Sequence, residues 1–477
     1  MANQDQTPVL QYLWDSDYTT SFSHNRMIMT TVPHFFRQTI KKYFDKIRNE
    51  KIKQMMLQAL PLWVASVITG IVAVLYTRLF QTAENGARYF YHQAPWLLFL
   101  VTPCCFLLAV WLVQKFAPYA SGSGIPQVTA AIELATPKAN HQVNRLLSLK
   151  IIIVKIASSC VMALGGAVVG REGPTIQIAG AIFRKINMWL PDWWPKISKR
   201  NMIMTGAAAG LAAAFNTPLG GIVFAMEELT KTHISFYKTA IISAVIIAGL
   251  TAQSFLGPYL YIGYPDVDHL AFTTFLVVIL AALICGFLSS LMCKLILKIT
   301  NWKSTLQKNW KRIVFVLFCA IAIAVMGYFS GEESLNSGKD IMTQLLFTSD
   351  KIVHWYTPLL RILGSMASFT SGAAGGVFAP ALSSGATIGS VLSGWLSLSG
   401  SDSNVVILAG MVAFLTGITR SPFTSAILVL EMTDGHHIIF HLMLAALVSN
   451  LIAYFIDKHS LYDHIKLQYM RKIANEE

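Results

Sequence analysis

Three short segments of the chain combine glycine with a proline: Gly-Ser-Gly-Ile-Pro at 122–126, Gly-Arg-Glu-Gly-Pro at 170–174 and Gly-Val-Phe-Ala-Pro at 376–380. Proline costs little in the first turn of a helix, so each segment predicts a helix start. The unpaired N–H groups and the dipole of a helix start attract anions, and glycine lets an ion approach the backbone. One helix terminus contributes about 0.3 to 2 kcal/mol, whereas moving a small anion out of water costs roughly tens of kcal/mol. We therefore expect several termini to converge on one anion site.

The composition places these turns in a membrane. Of the 477 residues, 54% are hydrophobic and 13% are charged, against roughly 25% charged in soluble domains, and the mean hydropathy is +0.53. This composition predicts an all-α polytopic membrane protein rather than a soluble enzyme. Helices broken at membrane depth are tolerated only where protein or a water-filled cavity satisfies the freed backbone groups, so the breaks are candidate binding sites. The six cysteines lie in apolar runs without C-x-x-C spacing, and we predict neither a metal nor a cofactor.

The net charge of +13 is explained by membrane topology and does not require a nucleic-acid partner. Lys and Arg are concentrated at 37–53, 184–200 and 294–312, which the positive-inside rule assigns to the cytoplasm. Two acidic loops, at 266–268 and 332–340, are predicted to be external. The polar N-terminus lacks the apolar stretch and cleavage site of a signal peptide, so no cleaved signal peptide is predicted. Both chain termini are predicted to be cytoplasmic.

One sequence pattern occurs twice. Pro218 leads through an apolar run to Glu227, and Pro422 leads through a similar run to Glu431, nine residues further in each case. Each is preceded by one of the glycine-rich turns, with proline separations of 44 (174 to 218) and 42 (380 to 422). The pattern predicts a duplication, although Gly and Pro are also simply frequent in membrane helices. Paired interrupted segments are typical of transport sites near the membrane midplane.

The three turns together resemble those of the CLC family of chloride channels and chloride/proton antiporters. The resemblance continues through Ala-Ala-Ala-Phe-Asn-Thr-Pro-Leu at 212–219, the pair Glu227-Glu228, Leu-Glu-Met-Thr at 430–433 and Tyr462. It covers about residues 55–465, and this many motifs in order make it specific. The resemblance implies a CLC-type fold of two inverted halves with many tilted, broken helices. It also implies a homodimer in the lipid bilayer, with one pathway per subunit.

The same resemblance assigns chloride-binding groups. The hydroxyls of Ser123 and Tyr462 and the backbone N–H groups of Val377 and Phe378 would hold the central chloride. The backbone of the 170–174 turn would form an outer site. The other chloride-binding positions are Gly124, Ile125, Arg171 and Gly173. Ser123 also bears on selectivity, since relatives that handle nitrate tend to carry proline there; the alternative role for Ser123 is a helix cap.

Glu172 places a carboxylate at the mouth of an anion-binding turn, where an ionised side chain mimics a bound anion. Burial favours the neutral acid and N–H donors favour the carboxylate, so its protonation should respond to the presence of chloride. Once protonated, the side chain should swing out and open the path. This predicts that Glu172 is the external gate and a proton-transfer group. The alternative is a structural pair with Arg171.

Glu228 corresponds, by resemblance, to the residue that passes protons to and from the cytoplasm in antiporters of this family. An ionisable side chain in a membrane helix costs about 2.5 to 3.5 kcal/mol on insertion scales and is therefore a functional candidate. Its neighbour Glu227 leaves open which of the two glutamates is structural, and the resemblance favours Glu228 for proton transfer.

Lys155 corresponds to a buried lysine that makes the pathway of the family electropositive. Here the sequence departs from the family pattern, because Gln127 and Thr129 stand where bacterial relatives tend to carry acids. The partner of Lys155 is therefore left open.

The predicted organisation is a cytoplasmic N-terminal segment 1–54, a transmembrane domain 55–465 and a short cytoplasmic tail 466–477. The inverted halves are placed at approximately 30–249 and 250–465. The 15 residues after Tyr462 (463 to 477) are too few for the cytoplasmic nucleotide-binding domains of many eukaryotic relatives. The prediction is a prokaryotic-type protein of a bacterial inner membrane.

The leading hypothesis is a chloride/proton antiporter that cycles protons through Glu172 and Glu228. A passive chloride channel on the same fold, gated by voltage or pH, is the nearest alternative. A hypothesis of another class is an intramembrane hydrolase with Ser123 as nucleophile. No G-x-S-x-G frame surrounds Ser123 and no histidine in the motif-bearing helices could act as its base, so an enzyme is not predicted.

Overall fold

The computed structural model describes residue 45 and residues 49–191, 193–195, 197–229, 238–257, 261–267, 273–349, 351–398, 400–433 and 435–476. Most of the predicted N-terminal segment, and Asp268 of the predicted external loop, lie outside the described residues. The chain divides into two units, 1–53 and 54–477. In the first unit, Lys53 pairs with Asp45 at 3.0 Å. The helices that carry the candidate site belong to the second unit.

The described residues form eighteen α-helices and no β-strand, which confirms the all-α class. The first nine are α1 (Glu50–Gln93), α2 (Leu98–Phe116), α3 (Ile125–Leu134), α4 (Val143–Leu146), α5 (Leu149–Leu164), α6 (Glu172–Trp189), α7 (Lys199–Phe215), α8 (Pro218–Phe224) and α9 (Lys238–Leu256). The other nine are α10 (Thr274–Ser304), α11 (Asn309–Ser330), α12 (Lys339–Phe347), α13 (Thr357–Thr370), α14 (Phe378–Trp395), α15 (Gly400–Thr419), α16 (Pro422–Thr433), α17 (Ile439–Ile456) and α18 (Leu461–Asn475).

Eight helical segments of the described chain are long and apolar enough to cross a membrane. Seven of them bury 33–50% of their apolar window within the protein, whereas α15 buries 94%. This difference arises because α15 packs between α14 and α10. The helix therefore lies in the core of the second unit, and the outer helices leave apolar faces for lipid.

The predicted breaks at four prolines are confirmed. Pro218 and Pro422 are the first residues of α8 and α16, and Pro174 and Pro380 are the third residues of α6 and α14. Proline is tolerated there because the N–H groups of the first turn have no intrahelical acceptor. With 7 and 12 residues, α8 and α16 are too short to span a hydrocarbon core, which takes about 20 helical residues.

The duplicated pattern adopts the same backbone arrangement twice. α7 is followed by Asn216 with φ 58°, and α15 is followed by Arg420 with φ 62°; a proline-initiated helix begins two residues later in each case. A left-handed residue other than glycine costs about 1 to 2 kcal/mol. Arg420 is held there by hydrogen bonds to the carbonyls of Ala453 (3.0 Å) and Asp457 (3.3 Å).

Three of the predicted boundaries fall within helices. The start of the domain at 55 lies inside α1, the division between the halves at 249/250 lies inside α9, and the start of the tail at 466 lies inside α18. α18 continues to Asn475, and Glu476 accepts hydrogen bonds from Arg145 (2.8 Å) and Tyr119 (3.0 Å).

Candidate functional site

The three glycine-rich turns meet through backbone hydrogen bonds. The N–H of Gly122 donates to Ala373 O (2.8 Å) and the N–H of Gly375 donates to Gly122 O (3.1 Å). Gly170 and Gly376 exchange two bonds, of 2.8 and 2.7 Å. The starts of α3, α6 and α14, which lie within three residues of these contacts, are thereby brought together. The convergence expected from the energetics of anion binding is present.

Close approach of the backbone explains the glycines of the first two turns. Gly124 has φ +113°, which favours glycine, and a Cβ there would lie 2.7 Å from Gly173 O. A Cβ on Gly173 would collide with Ser123 Oγ. Side chains at these positions would force α3 and α6 apart.

The hydroxyls of Ser123 and Tyr462 lie next to each other. Each side chain is 1% exposed, yet neither oxygen has a hydrogen-bond partner of ordinary geometry among the described residues. Buried polar atoms are almost always hydrogen-bonded, so these two hydroxyls are candidate donors to a ligand. The Tyr462 ring stacks on Phe378, with centroids 6.3 Å apart and planes 9° apart. Phe378 is the first residue of α14 and Val377 is its N-cap, so free N–H groups of a helix start adjoin the pair.

Glu172 is the first residue of α6 and is 1% exposed. Its Oε1 accepts a hydrogen bond from Tyr261 Oη at 3.2 Å. A Cβ on Gly170 would collide with Glu172 Oε2 and would lie 3.3 Å from the backbone N of Ala379 in α14. The carboxylate therefore lies at the start of its own helix and close to the start of α14. Both helix dipoles favour its ionised form there.

Arg171 forms no ion pair with Glu172, although its charge acts on that carboxylate. Its guanidinium donates to Thr77 O at 3.3 Å, and the described side chains of Arg171 and Glu172 form no ion pair. A structural pair of these two residues is therefore not what holds Glu172 in the site.

Lys155 is fully buried, and its Nζ donates to Ala120 O (3.0 Å) and Gly122 O (2.8 Å). Its partners are thus two main-chain carbonyls of the segment that precedes Ser123. The N–H donors of Lys155 fix the orientation of these two carbonyls, on either side of Ser121. Gln127 belongs to the same network, because its Nε2 donates to Ser121 O at 2.6 Å.

Replacing Lys155 by Met should weaken binding of the predicted chloride about tenfold, because the resemblance makes Lys155 a positive charge of the pathway and a hydrogen bond to a charged group is worth about 1.5 kcal/mol or more. Isothermal titration of the purified protein with chloride checks this. Lys150→Met, on an exposed position of the same helix α5, is the matched control and should bind like the wild type. Equal affinities in Lys155→Met and the wild type would show that the lysine supports only the fold.

Glu227 and Glu431, the two repeat-related glutamates, cap each other's helices. Glu227 accepts from the backbone N of Phe423 (3.2 Å) and Thr424 (2.7 Å), at the start of α16. Glu431 accepts from the backbone N of Leu219 (3.1 Å) and Gly220 (2.9 Å), at the start of α8. Each carboxylate satisfies orphan N–H groups and complements the dipole of a helix start. Glu227 therefore has a structural role.

Glu228 has different surroundings from its neighbour. The two residues lie in a π-helical turn, Ala225–Leu229, that follows α8, and Glu228 Oε2 accepts from Ser421 Oγ at 2.9 Å. Tyr462 is within electrostatic range of both Glu228 and Glu172. The wider turn directs adjacent carboxylates to different partners, and π-turns are frequent at functional sites.

Removal of the Glu227 carboxylate should destabilise the protein. Glu227→Ala leaves two N–H groups of α16 unpaired, and losing such a cap costs about 0.5 to 2 kcal/mol. Thermal unfolding of the detergent-solubilised protein should show a lower midpoint. Glu431→Ala should show a loss of similar size, because its role at α8 is the same. An unchanged midpoint in both variants would mean that these contacts are not caps.

Sequence patterns did not identify Tyr261 or Ser421. Ser421 immediately precedes Pro422 of the repeat, a position that could have been compared with Thr217 of the first half. Tyr261 lies in the segment 261–267, which carries no motif. Its ring lies under Lys339 Nζ, 5.0 Å from the centroid. Burial, followed by the charge of Arg171, lowers the pKa of Lys339 to about 8.

Among the described residues, no group of three His, Cys, Asp or Glu side chains could hold a metal ion. Ser123 Oγ has no described partner that could act as a general base. The donor set at the three turns consists of O–H and N–H groups with a buried lysine nearby, which suits a monatomic anion.

A family model described as voltage gated chloride channel matches residues 105–454, and the chain belongs to this family. It is therefore a multi-pass membrane protein. The H(+)/Cl(−) exchange transporter ClcA of Citrobacter koseri is 28% identical over 434 residues, covering 86% of this chain and 88% of the relative. ClcA of Cronobacter sakazakii is 29% identical over 401 residues, covering 79% of this chain and 82% of the relative.

Solved structures share the fold. The structure of a slow cyanobacterial Cl−/H+ antiporter matches with a TM-score of 0.76 at 23% identity, covering 88% of this chain and 98% of that chain. A CLC-type fluoride/proton antiporter matches with a TM-score of 0.72 at 20% identity, covering 87% and 98%. These likenesses confirm the predicted CLC-type fold.

Proposed function

We propose that this protein exchanges chloride for protons across a membrane. One observation carries the proposal: a buried carboxylate, Glu172, lies between two helix starts that converge with the unpartnered hydroxyls of Ser123 and Tyr462. A group in this place can both occupy an anion position and bind a proton. The names of the ClcA relatives, which are exchange transporters, support the same conclusion.

Chloride would be held at two positions. The central one uses the hydroxyls of Ser123 and Tyr462 with the N–H groups of Val377 and Phe378. The outer one uses the helix starts at Arg171 and Gly173, with Gly124 and Ile125 forming the adjoining start of α3. Ionised Glu172 competes with the outer chloride for the same N–H groups. Protonation removes the charge that makes the side chain an anion mimic, so the neutral side chain leaves and chloride enters.

Protons would reach the opposite side through Glu228. Its carboxylate lies beside Ser421 in the π-turn, and Tyr462 is within electrostatic range of both glutamates. The cap formed by Glu227 keeps α16, and with it Ser421, in register with the turn. The proton path and the chloride path would thus share Glu172 and separate towards the cytoplasm.

We further propose a homodimer with one pathway in each subunit, in a bacterial inner membrane with both termini cytoplasmic. The clusters of Lys and Arg at 184–200 and 294–312 and the acidic loop at 332–340 support this orientation. The segment 1–54, the domain 55–465 and the tail 466–477 would be its parts. No cofactor is needed, because the chloride or proton gradient across the membrane supplies the driving energy.

The test uses purified protein in liposomes that hold a high chloride concentration and carry no pH gradient. If outward chloride movement is coupled to protons, the efflux should drive protons inwards, and an external pH electrode should record alkalinisation. Protein-free liposomes are the control. Chloride efflux without proton movement would instead support the passive channel.

A further inference from the structure

The segment 261–267 between α9 and α10 brings one side chain into the candidate site. Tyr261 is 3% exposed. The N–H of the adjacent Ile262 donates to Met432 O at 3.4 Å, near the end of α16. This hydrogen bond attaches the segment to α16 at the residue that follows Tyr261.

Two contacts fix the Tyr261 ring. It packs edge-to-face with Phe215, the last residue of α7, with ring centroids 5.0 Å apart and planes 76° apart. Lys339 Nζ lies 5.0 Å from the ring centroid. Phe215 in turn packs on Phe378, with centroids 6.1 Å apart. The ring is thus oriented by packing, and its hydroxyl reaches Glu172 Oε1 at 3.2 Å.

A phenol hydroxyl donates a stronger hydrogen bond to a carboxylate than to a carboxylic acid. The Tyr261 bond therefore stabilises Glu172 in its ionised form and in the position between the two helix starts. When Glu172 takes up a proton, the bond weakens and release of the side chain becomes easier. A cation above the ring makes the phenol a better donor, because it withdraws electron density from the oxygen.

We propose that Tyr261 is a positioning residue for Glu172, setting the pH at which the carboxylate leaves its anion-like position. This inference rests on the proposed function of Glu172 as the gate. Tyr261 would thus influence Glu172 from outside the three glycine-rich turns, from the segment 261–267.

Other titratable groups also act on Glu172. Tyr76 and Glu84 face it from α1, Arg171 precedes it, Lys339 lies at the start of α12 and Tyr462 lies on α18. The titration should therefore be carried out below about pH 7, where Lys339 keeps its charge.

The experiment measures chloride efflux from liposomes against pH with a chloride electrode, for the wild type, Tyr261→Phe and Tyr264→Phe. Tyr261→Phe keeps the ring and removes only the hydroxyl. Losing a hydrogen bond to the charged form favours protonation, so the midpoint of acid activation should rise by about one pH unit. Tyr264, which is 70% exposed in the same segment, is the matched control, and its variant should keep the wild-type midpoint.

The same comparison in the Glu172→Gln background separates positioning from packing. In that background, Tyr261→Phe should leave the dependence of chloride efflux on pH unchanged, because no carboxylate remains at position 172 to accept the Tyr261 hydrogen bond. An unchanged midpoint in Tyr261→Phe, or an equal change in the Glu172→Gln background, would overturn the inference while leaving the gating role of Glu172 intact. A Glu172→Gln variant that still couples protons would overturn the proposed function itself.

Discussion

Glu172→Gln is expected to abolish proton coupling while chloride still passes. Glutamine has the same shape as the protonated acid but has no negative charge and no titratable carboxyl group. It therefore cannot act as an anion mimic or carry a proton. We expect proton flux to fall by about 100-fold or more, the range for loss of a proton-transfer group. Chloride flux should persist and lose its dependence on pH below neutrality. Simultaneous recording of chloride and proton fluxes in liposomes measures both effects.

Glu84→Gln is the matched control for this variant. Glu84 is a buried carboxylate whose charge acts on Glu172, and its Oε1 accepts from the N–H of Ser337 at 2.9 Å. Glutamine can keep that hydrogen bond, so the control should retain coupling. Proton pumping retained in Glu172→Gln would contradict the role assigned to this residue.

Glu228→Gln is expected to stop proton movement and to spare chloride flux. The amide can still accept from Ser421 Oγ, so the local structure is preserved, whereas the proton acceptor is lost. The expected fall in proton flux is again about 100-fold or more. Chloride should pass at a rate close to that of the wild type, because Ser123, Tyr462 and the helix starts are unchanged.

The neighbouring Glu227→Gln distinguishes the two glutamates. It keeps one acceptor for the start of α16 and should retain proton flux, with a modest loss of thermal stability. If Glu227→Gln stopped protons and Glu228→Gln did not, the roles would be reversed. Equal loss of chloride and proton flux in Glu228→Gln would indicate damage to the fold rather than to the proton path.

The convergence of the three turns could be predicted from the sequence because its physical cause is local. Glycine and proline at 122–126, 170–174 and 376–380 mark helix starts, and the energetics of anion binding require several of them. The structure confirms that these starts adjoin one another. The backbone contacts that join them, such as the exchange between Gly170 and Gly376, follow from the same absence of side chains.

The partner of Lys155 could not be predicted, since main-chain carbonyls exist at every residue and carry no sequence signal. The choice between Glu227 and Glu228 was open for a different reason. The nine-residue spacing from Pro218 to Glu227 and from Pro422 to Glu431 already paired the two capping residues, and the reciprocal contacts gave that pairing its meaning. The spacing thus identified the pair, and the contacts at the starts of α8 and α16 indicate the structural role of Glu227.

The contact between Tyr261 and Glu172 depends on long-range packing. The two residues are 89 positions apart, and the segment 261–267 has no repeat partner. Its Gly263 and Pro265 mark a turn, but they do not indicate which residues the turn contacts. The position of Tyr261 depends on the hydrogen bond to Met432 and on the packing against Phe215. Both are contacts between residues far apart in the chain, so a local sequence pattern cannot predict them.

The reversal potential under a pH gradient tests chloride/proton exchange most directly. Purified protein in a planar bilayer, with equal chloride on both sides and a pH difference across the membrane, should give a reversal potential displaced from zero, because each turnover moves protons with chloride. Exchange predicts that the displacement follows the pH difference and disappears in Glu172→Gln. A reversal potential that stays at the chloride equilibrium value in the wild type would contradict exchange and identify a passive channel.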